Sequence, residues 1–317
     1  MRSKTDIKGR GAMIEIRNLS KIYTDYAALE NLTLSVARGE VLGLYGPFGS
    51  GKSSLLKILA TLMLPSRGEV TIDGLDLWRQ ADAVRRIVGY QPNYFGSYED
   101  MRVGEYLEFF ALAYQVNLED RRGGLERLLD FAGLEARREE SIGTLDREAR
   151  QRLGLVKTLV HDPPILLLDG PAAGLDPAAR ARLRELIGAV RRMGKTILLG
   201  SNILSDLIGV CDRMALLHHG RLLMEAPAEE LTGILTEFRI IEVEVQGDVQ
   251  GARDLLRADP RVRQSEAHGE TLIFSLDGAA QDPLEMIGDL RRQGVVVAAY
   301  REHEIELDAL AERVKKD

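Results

Sequence analysis

The chain has 317 residues, 45% of them hydrophobic and 29% charged, with a net charge of −7. That composition excludes a disordered or fibrous protein, and the length favours two domains over one. A single cysteine, Cys211, excludes an intramolecular disulfide framework and fits a reducing compartment; no run approaches the roughly 18 consecutive apolar residues of a membrane-spanning helix. The charge lies at one end, because residues 236–317 hold 18 acidic against 11 basic residues. Neither part has the basic surface that binding many phosphates requires, which argues against nucleic acid as a partner.

The first 12 residues, MRSKTDIKGRGA, carry basic residues with no apolar stretch behind them, and are read as a disordered leader with Met13 an alternative start. MIEIRNLSKIY alternates like a strand, and LTLSVARGEVLGLYG supplies two more strands broken at Arg38-Gly39. A glycine-rich turn leads into SSLLKILATLML, a helix expected to stop at Pro65. GEVTIDGLDL reads as a hairpin-like pair and RIVGYQP as a strand. From Arg102 to Lys157 the pattern is helical, with breaks expected at Gly123-Gly124 and Gly133. Then come strand ILLLD, helix PAARARLRELIGAVRRMG, strand KTILLGS, helix NILSDLIGVC and strand RMALLHHG. Continuously apolar strands alternating with helices predict an α/β fold, a largely parallel sheet covered on both faces.

Beyond GRLLMEAPAEELTGIL the texture changes. FRIIEVEVQG, ARDLLRADPRV, RQSEAHGETLIFSL, PLEMIGDLRRQG and VVVAAYREHEIEL read as strand, helix, two strands, helix and strand, the split ferredoxin-like order. The expected organisation is an α/β domain over residues 13–235, with its helical part at about 96–160, and a small α+β domain over 236–317.

Between a strand and a helix stands Gly46-Pro47-Phe48-Gly49-Ser50-Gly51-Lys52-Ser53, with Ser54 following, and it fits G-x-x-x-x-G-K-[ST]. Glycines let backbone N–H groups close around phosphate oxygens, and the helix N-terminus adds a favourable dipole. Lys52 balances phosphate charge and the Ser53 hydroxyl ligates Mg²⁺. The strand before and the helix after distinguish this pattern from a chance glycine turn. Asp169, ending ILLLD, suits the second half of such a site, a buried strand delivering one carboxylate toward Mg²⁺; the alternative is a turn residue ahead of Gly170-Pro171.

With these motifs in this order, residues 14–223 resemble the ATP-binding subunit of an ATP-binding cassette (ABC) transporter. The resemblance implies a P-loop NTPase cassette, a mixed sheet with a helical subdomain, that binds ATP and Mg²⁺. It implies that Tyr23 stacks on adenine, that Tyr90-Gln91-Pro92-Asn93 is the Q-loop with Asn93 near the metal, and that Gly174-Leu175-Asp176-Pro177 is the D-loop at a dimer interface. Within the family, VGYQPNYFGSYEDMRVGEYLEFFALAY and the acidic extension look most like subunits that pair with a separate ABC-2 type permease in export. That implies a cytoplasmic protein, peripheral on the inner face of the membrane, in a homo- or heterodimer of cassettes.

Four departures stand against this pattern. The family signature, typically Leu-Ser-Gly-Gly-Gln, is here Leu145-Asp146-Arg147-Glu148-Ala149. The resemblance implies that this segment lies at the dimer interface, where Asp146 and Glu148 would bring negative charge toward the phosphate bound by the other subunit, with Arg147 able to offset part of it; alternatively Asp146 simply caps the next helix. Gly170 stands where the family has its catalytic glutamate, Asn202 where it has the switch histidine, and Asn93 where it has glutamine. Losing a positioned base typically costs about 10²–10⁴ in rate. The resulting expectation is a cassette that binds nucleotide but hydrolyses it poorly; the alternatives are a regulatory pseudo-ATPase and a non-transport ABC protein. Tyr94, Phe95 and Tyr98 form an aromatic cluster that is either an interface anchor or core packing.

Overall fold

The computed structural model describes residues 11–93, 96, 98–236, 240–276 and 283–302. Strands β1 (Ala12–Ile22) and β2 (Ala27–Ala37) pair antiparallel and turn Met13, Ile14, Ile16 and Leu19 of the first and Leu29, Leu32, Leu34 and Val36 of the second inward. β3 (Val41–Tyr45) is buried along its whole length and runs into the glycine-rich loop and helix α1 (Lys52–Leu59). β4 (Arg67–Ile72) returns to pair with β1, and the short β5 (Leu75–Asp76) closes this sheet in the order β2-β1-β4-β5. Helix α2 (Ala81–Ile87) then leads into β6 (Val88–Gln91).

The helical stretch comprises α3 (Val103–Ala113), α4 (Leu118–Phe131) and α5 (Arg147–Leu159). They pack on one another around Tyr106, Leu107, Leu129 and Leu153, a core of their own. Tyr98 belongs to it, packing edge-on against Tyr106 and Phe110; Tyr94 and Phe95 lie outside the described residues. The chain returns through β7 (Ile165–Asp169), α6 (Pro177–Arg192), β8 (Thr196–Ser201), β9 (Arg213–His218) and β10 (Arg221–Pro227). The second sheet runs β10-β9-β3-β8-β7-β6, parallel except for β10. Its inner strands read VLGLY, ILLLD and TILLGS because both of their faces are covered.

Register brings the ends of these strands to one level. Tyr45 pairs with Ser201 and Asp169 with Gly200. The loops that leave β3, β7 and β8 therefore converge at the carboxyl edge of the sheet, where open α/β folds bind ligands.

The chain divides into two compact units between Ala228 and Glu229, so most of α7 (Ala228–Thr236) goes with the second. That unit contains β11 (Ile240–Gln246), α8 (Val249–Ala258), β12 (Val262–His268), β13 (Thr271–Leu276), α9 (Pro283–Arg292) and β14 (Val296–Glu302). Its sheet is antiparallel throughout, in the order β12-β13-β11-β14. Ile241, Val243, Leu256, Phe274 and Leu290 are buried together beneath it.

Several elements differ from the sequence-based expectation. Helix α1 stops at Leu59, not at Pro65, because Thr61 adopts a left-handed conformation (φ 61°). The Leu62 N–H then reaches the Lys57 carbonyl and the Thr61 N–H that of Ile58, a Schellman closure. Helix α4 continues through Gly123-Gly124, since burying Leu129 and partly burying Leu125 and Leu128 outweighs a propensity loss of about 1 kcal/mol per glycine. Helix α2, over ADAVRRI, was not anticipated. The helix expected from Asn202 to Cys211 is only a short 3₁₀ turn at Leu204–Asp206, because Asp206 turns inward to a buried ion pair with Arg180. Leu167 lies in β7 between two parallel neighbours and is 0% exposed. Leu167→Ala should lower the stability of the first unit by about 2–5 kcal/mol, read as a shift of its denaturant midpoint.

Candidate functional site

The loop from Gly46 to Gly51 bends back over the start of α1. Gly51 caps that helix in a left-handed conformation (φ 105°), and a Cβ there would lie 2.4 Å from the Ala28 carbonyl oxygen. Only glycine fits, and its absent side chain leaves the first N–H groups of α1 open to an anion. The Lys52 ammonium donates to the carbonyls of Gly46 (2.7 Å) and Pro47 (2.8 Å) and to Ser50 Oγ (3.0 Å). Burial pulls its pKa down to about 8, against the opposing pull of the Asp169 charge. Ser53 Oγ donates to Asp169 Oδ1 at 3.0 Å, joining the phosphate loop to the end of β7. Asp169 is almost fully buried and desolvation raises its pKa, while Ser53, Lys57 and Lys52 oppose the rise.

A cleft of about 180 Å³ lies over this junction. It is lined by Phe48, Gly49, Ser50, Gly51, Lys52, Ser53 and Ser54 from the loop and α1, and by Asn93, Asp169, Gly170 and Asn202 from three other segments. Residues some 150 positions apart are thus brought to one site by the strand register. A cavity of about 1130 Å³ at the opposite ends of the strands is larger, but three of the arginines lining it are paired with acids, Arg38 with Asp73, Arg191 with Asp212 and Arg213 with Glu40.

Tyr23 does not line the cleft. Tyr26 does, 62% exposed, and Tyr23 stacks behind it with ring centroids 5.2 Å apart. Sequence reasoning passed over Tyr26, although the repeat Tyr-Thr-Asp-Tyr marks two aromatics on one turn, closed by Tyr23 N–H to Tyr26 C=O. It also passed over Ala28, Ala173, Gly200 and Ser201, which complete the lining. Gln91, two residues before Asn93, is buried against α5 and donates to Gln151 Oε1 at 2.9 Å, so it takes no part. A Cβ on Gly170 would point at the Asn93 side chain, 3.4 Å away. Gly170 itself is left-handed (φ 58°). The carboxylate-free position and the shortened amide are therefore neighbours.

The segment from Asp146 to Glu148 lies elsewhere, at the start of α5. Asp146 Oδ1 accepts the Ala149 N–H at 2.7 Å and so caps the helix, and Arg137 pairs with its other oxygen at 3.1 Å. These two partners hold its pKa below the usual carboxylate range. Glu148 receives a two-pronged grip from Arg182 of α6, at 2.8 and 2.6 Å. Arg147 is spread over Gly174, where a Cβ would lie 2.2 Å from its Cζ. Neither acid is left unpaired, and the offset for Asp146 comes from Arg137, not from Arg147. Asp176 caps α6 through the Ala179 N–H (2.9 Å), so both helix starts and the loop between them form one packed block.

The residues present suit a polyphosphate and a hard divalent cation: a glycine-rich loop in which Gly46 and Gly51 have no room for a Cβ, one ammonium, and a hydroxyl beside a buried carboxylate. Lys52 generates a pH test. Near pH 8 it is half protonated in the free protein, and a bound polyphosphate raises its pKa. Binding a nucleoside triphosphate at that pH should take up about half a proton, and affinity should fall as pH rises above it. Calorimetry in buffers of different ionisation enthalpy reads the uptake, which Lys52→Ala should abolish.

Comparison with known proteins agrees with this geometry. Residues 29–173 match the family model described as ABC transporter. The chain is 31% identical to the Nod factor export ATP-binding protein I of Cupriavidus metallidurans, over 93% of this chain and 95% of that protein. It is 34% identical to the protein of the same name from Burkholderia orbicola, over 83% and 85%. Among solved structures, the ATP-binding subunit of an ABC transporter aligns with 32% identity and a TM-score of 0.63, over 69% of this chain and 91% of that one. A dimeric ATP-binding cassette in a post-hydrolysis state, with ADP and phosphate bound, aligns with 26% identity and a TM-score of 0.63, over 68% and 99%. The phosphate loop, the carboxylate that ends β7 and these matches lead to one conclusion: the chain belongs to the ABC transporter family, among its ATP-binding proteins.

Proposed function

We propose that this protein is the ATP-binding subunit of an ABC-2 type exporter, that it works with a separate integral membrane permease, and that it binds MgATP while hydrolysing it poorly at its own site. The observation that carries the reading is the lining of one cleft: a complete phosphate loop with Asp169, beside Gly170 and Asn202. The relatives' name, Nod factor export ATP-binding protein I, supports the transport role. In this reading the backbone of residues 46–51 and Lys52 hold the phosphates, and Ser53 and Asp169, with Asn93 nearby, hold Mg²⁺. The ion neutralises phosphate charge when bound. Tyr26, backed by Tyr23, offers the aromatic face for the base.

No side chain at residue 170 can orient a water, and an asparagine at 202 can donate to phosphate but carries no charge. The cassette dimerises, with itself or a second cassette, and sits on the cytoplasmic face of the membrane through its permease. No helix among the described residues is long and apolar enough to cross it alone. The second unit is read as ferredoxin-like, from its strand order and alternating helices.

A second reading, a regulatory cassette that binds nucleotide without turnover, draws on the start of α5. Arg147 on Gly174 and Glu148 on Arg182 tie the signature position to its own D-loop and α6 within one chain. The family's glycines leave that segment free to approach a partner's phosphate. Restoring the missing carboxylate tests the leading reading. Gly170→Glu should raise steady-state phosphate release on the order of 10²-fold, reduced by left-handed strain of about 1–2 kcal/mol at that residue. Equal release by the two proteins would contradict it.

A further inference from the structure

Asn202 has no rigid element of its own, since the segment after β8 is a set of turns with one 3₁₀ turn at Leu204–Asp206. What holds it is a chain of polar contacts that starts in a different loop. The Arg180 Nε–H donates to the carbonyl oxygen of Leu175 at 2.9 Å. The same guanidinium donates through Nη1 to Asp206 Oδ1 at 2.9 Å. Asp206 Oδ2 accepts the Ser201 hydroxyl at 2.7 Å, and Ser201 Oγ accepts the Ile203 N–H at 3.0 Å. Ser201 and Ile203 flank Asn202 on both sides, and Ser201 lines the same cleft.

The Arg180 and Asp206 side chains are 17% and 7% exposed. A buried ion pair is costly to desolvate, and apolar residues of the same volume would serve packing as well or better. The guanidinium is itself anchored, because Arg180 sits in the first turn of α6, its N–H bonded to the carbonyl of the capping Asp176. One end of the relay is therefore the loop that follows Asp169, and the other is the backbone on either side of Asn202.

We propose that Arg180 is a positioning residue: through Asp206 and Ser201 it fixes the Asn202 loop against the Leu175 loop and so sets how Asn202 meets the terminal phosphate of a bound nucleoside triphosphate. The proposal rests on the reading that Asn202 faces that phosphate. A group acting on the terminal phosphate changes the affinity for the triphosphate and spares the diphosphate, whereas a general loss of structure weakens both.

The experiment is a comparison of ATP and ADP dissociation constants, with Mg²⁺, for the full chain and for Asn202→Ala, Arg180→Met, Asp206→Asn and the Asn202→Ala/Arg180→Met double variant. Asn202→Ala should weaken ATP about tenfold, the scale of one hydrogen bond to a charged group, with ADP unchanged. Arg180→Met should do the same, and the double variant should be no weaker than Asn202→Ala alone, because both act through one contact. Asp206→Asn keeps the volume and an acceptor for Ser201, and should shift ATP alone even if Arg180→Met does not fold. Equal weakening of ATP and ADP by the Arg180 or Asp206 variants, or no effect, beside a selective effect of Asn202→Ala, overturns the relay. No selective effect of Asn202→Ala overturns the reading of Asn202, and the relay with it.

Discussion

The hydrogen bond from Ser53 to Asp169 joins the two halves of the site, and the rest of the molecule is arranged so that it can form. Ser53 lies in the first turn of α1 and Asp169 ends β7, 116 residues apart. They meet because β3, β8 and β7 are parallel neighbours in register, so the phosphate loop and the carboxylate leave the sheet at one level. The apolar strands that make this possible leave Asp169 little access to water. Burial makes ionisation costly there, which the hydroxyl and two lysines partly offset. A cation brought to that carboxylate would remove much of the remaining cost, and the site's chemistry follows from that imbalance.

The start of α5 shows how charge can be spent on architecture. Asp146 and Glu148 would repel a phosphate if they were free. One is occupied by a helix N-terminus and Arg137, the other by Arg182. With Arg147 laid over Gly174, the segment contributes to a block that includes the loop after Asp169 and the first turns of α6. The same loop receives Arg180, which reaches on to the Asn202 segment. Two guanidinium groups, those of Arg147 and Arg180, thus rest on that loop, with Arg182 beside them on Glu148. Planar, forked donors suit this role because each can satisfy two acceptors in a fixed geometry.

What could be read in the sequence was whatever local chemistry determines. The phosphate loop is contiguous, its glycines answer to steric needs within a few residues, and ILLLD announces a covered strand by composition alone. The order of strands and helices in the second unit followed from periodicity in the same way. Elements decided by distant partners were not legible. Nothing near Asn202 shows that Asp206 will pair with Arg180 and replace a helix by turns. Nothing near Glu148 points to Arg182, 34 residues on. Local rules also misled where burial outweighed them, at Gly123-Gly124, and where a threonine adopted the left-handed stop of α1 at Thr61. Tyr26 was missed because one aromatic had already filled the role expected near Tyr23.

The central proposal is that binding and hydrolysis are separated in this cleft, which pairs a phosphate loop and Asp169 with a glycine at 170 and an uncharged asparagine at 202. The most direct measurement is steady-state phosphate release by the purified full chain at saturating MgATP, with Lys52→Ala as background and nucleotide binding followed on the same preparations. The account predicts tight, Lys52-dependent binding with release at or barely above that background. Clear turnover that disappears in Lys52→Ala would contradict it, and would mean that another group of this chain supplies what Gly170 lacks.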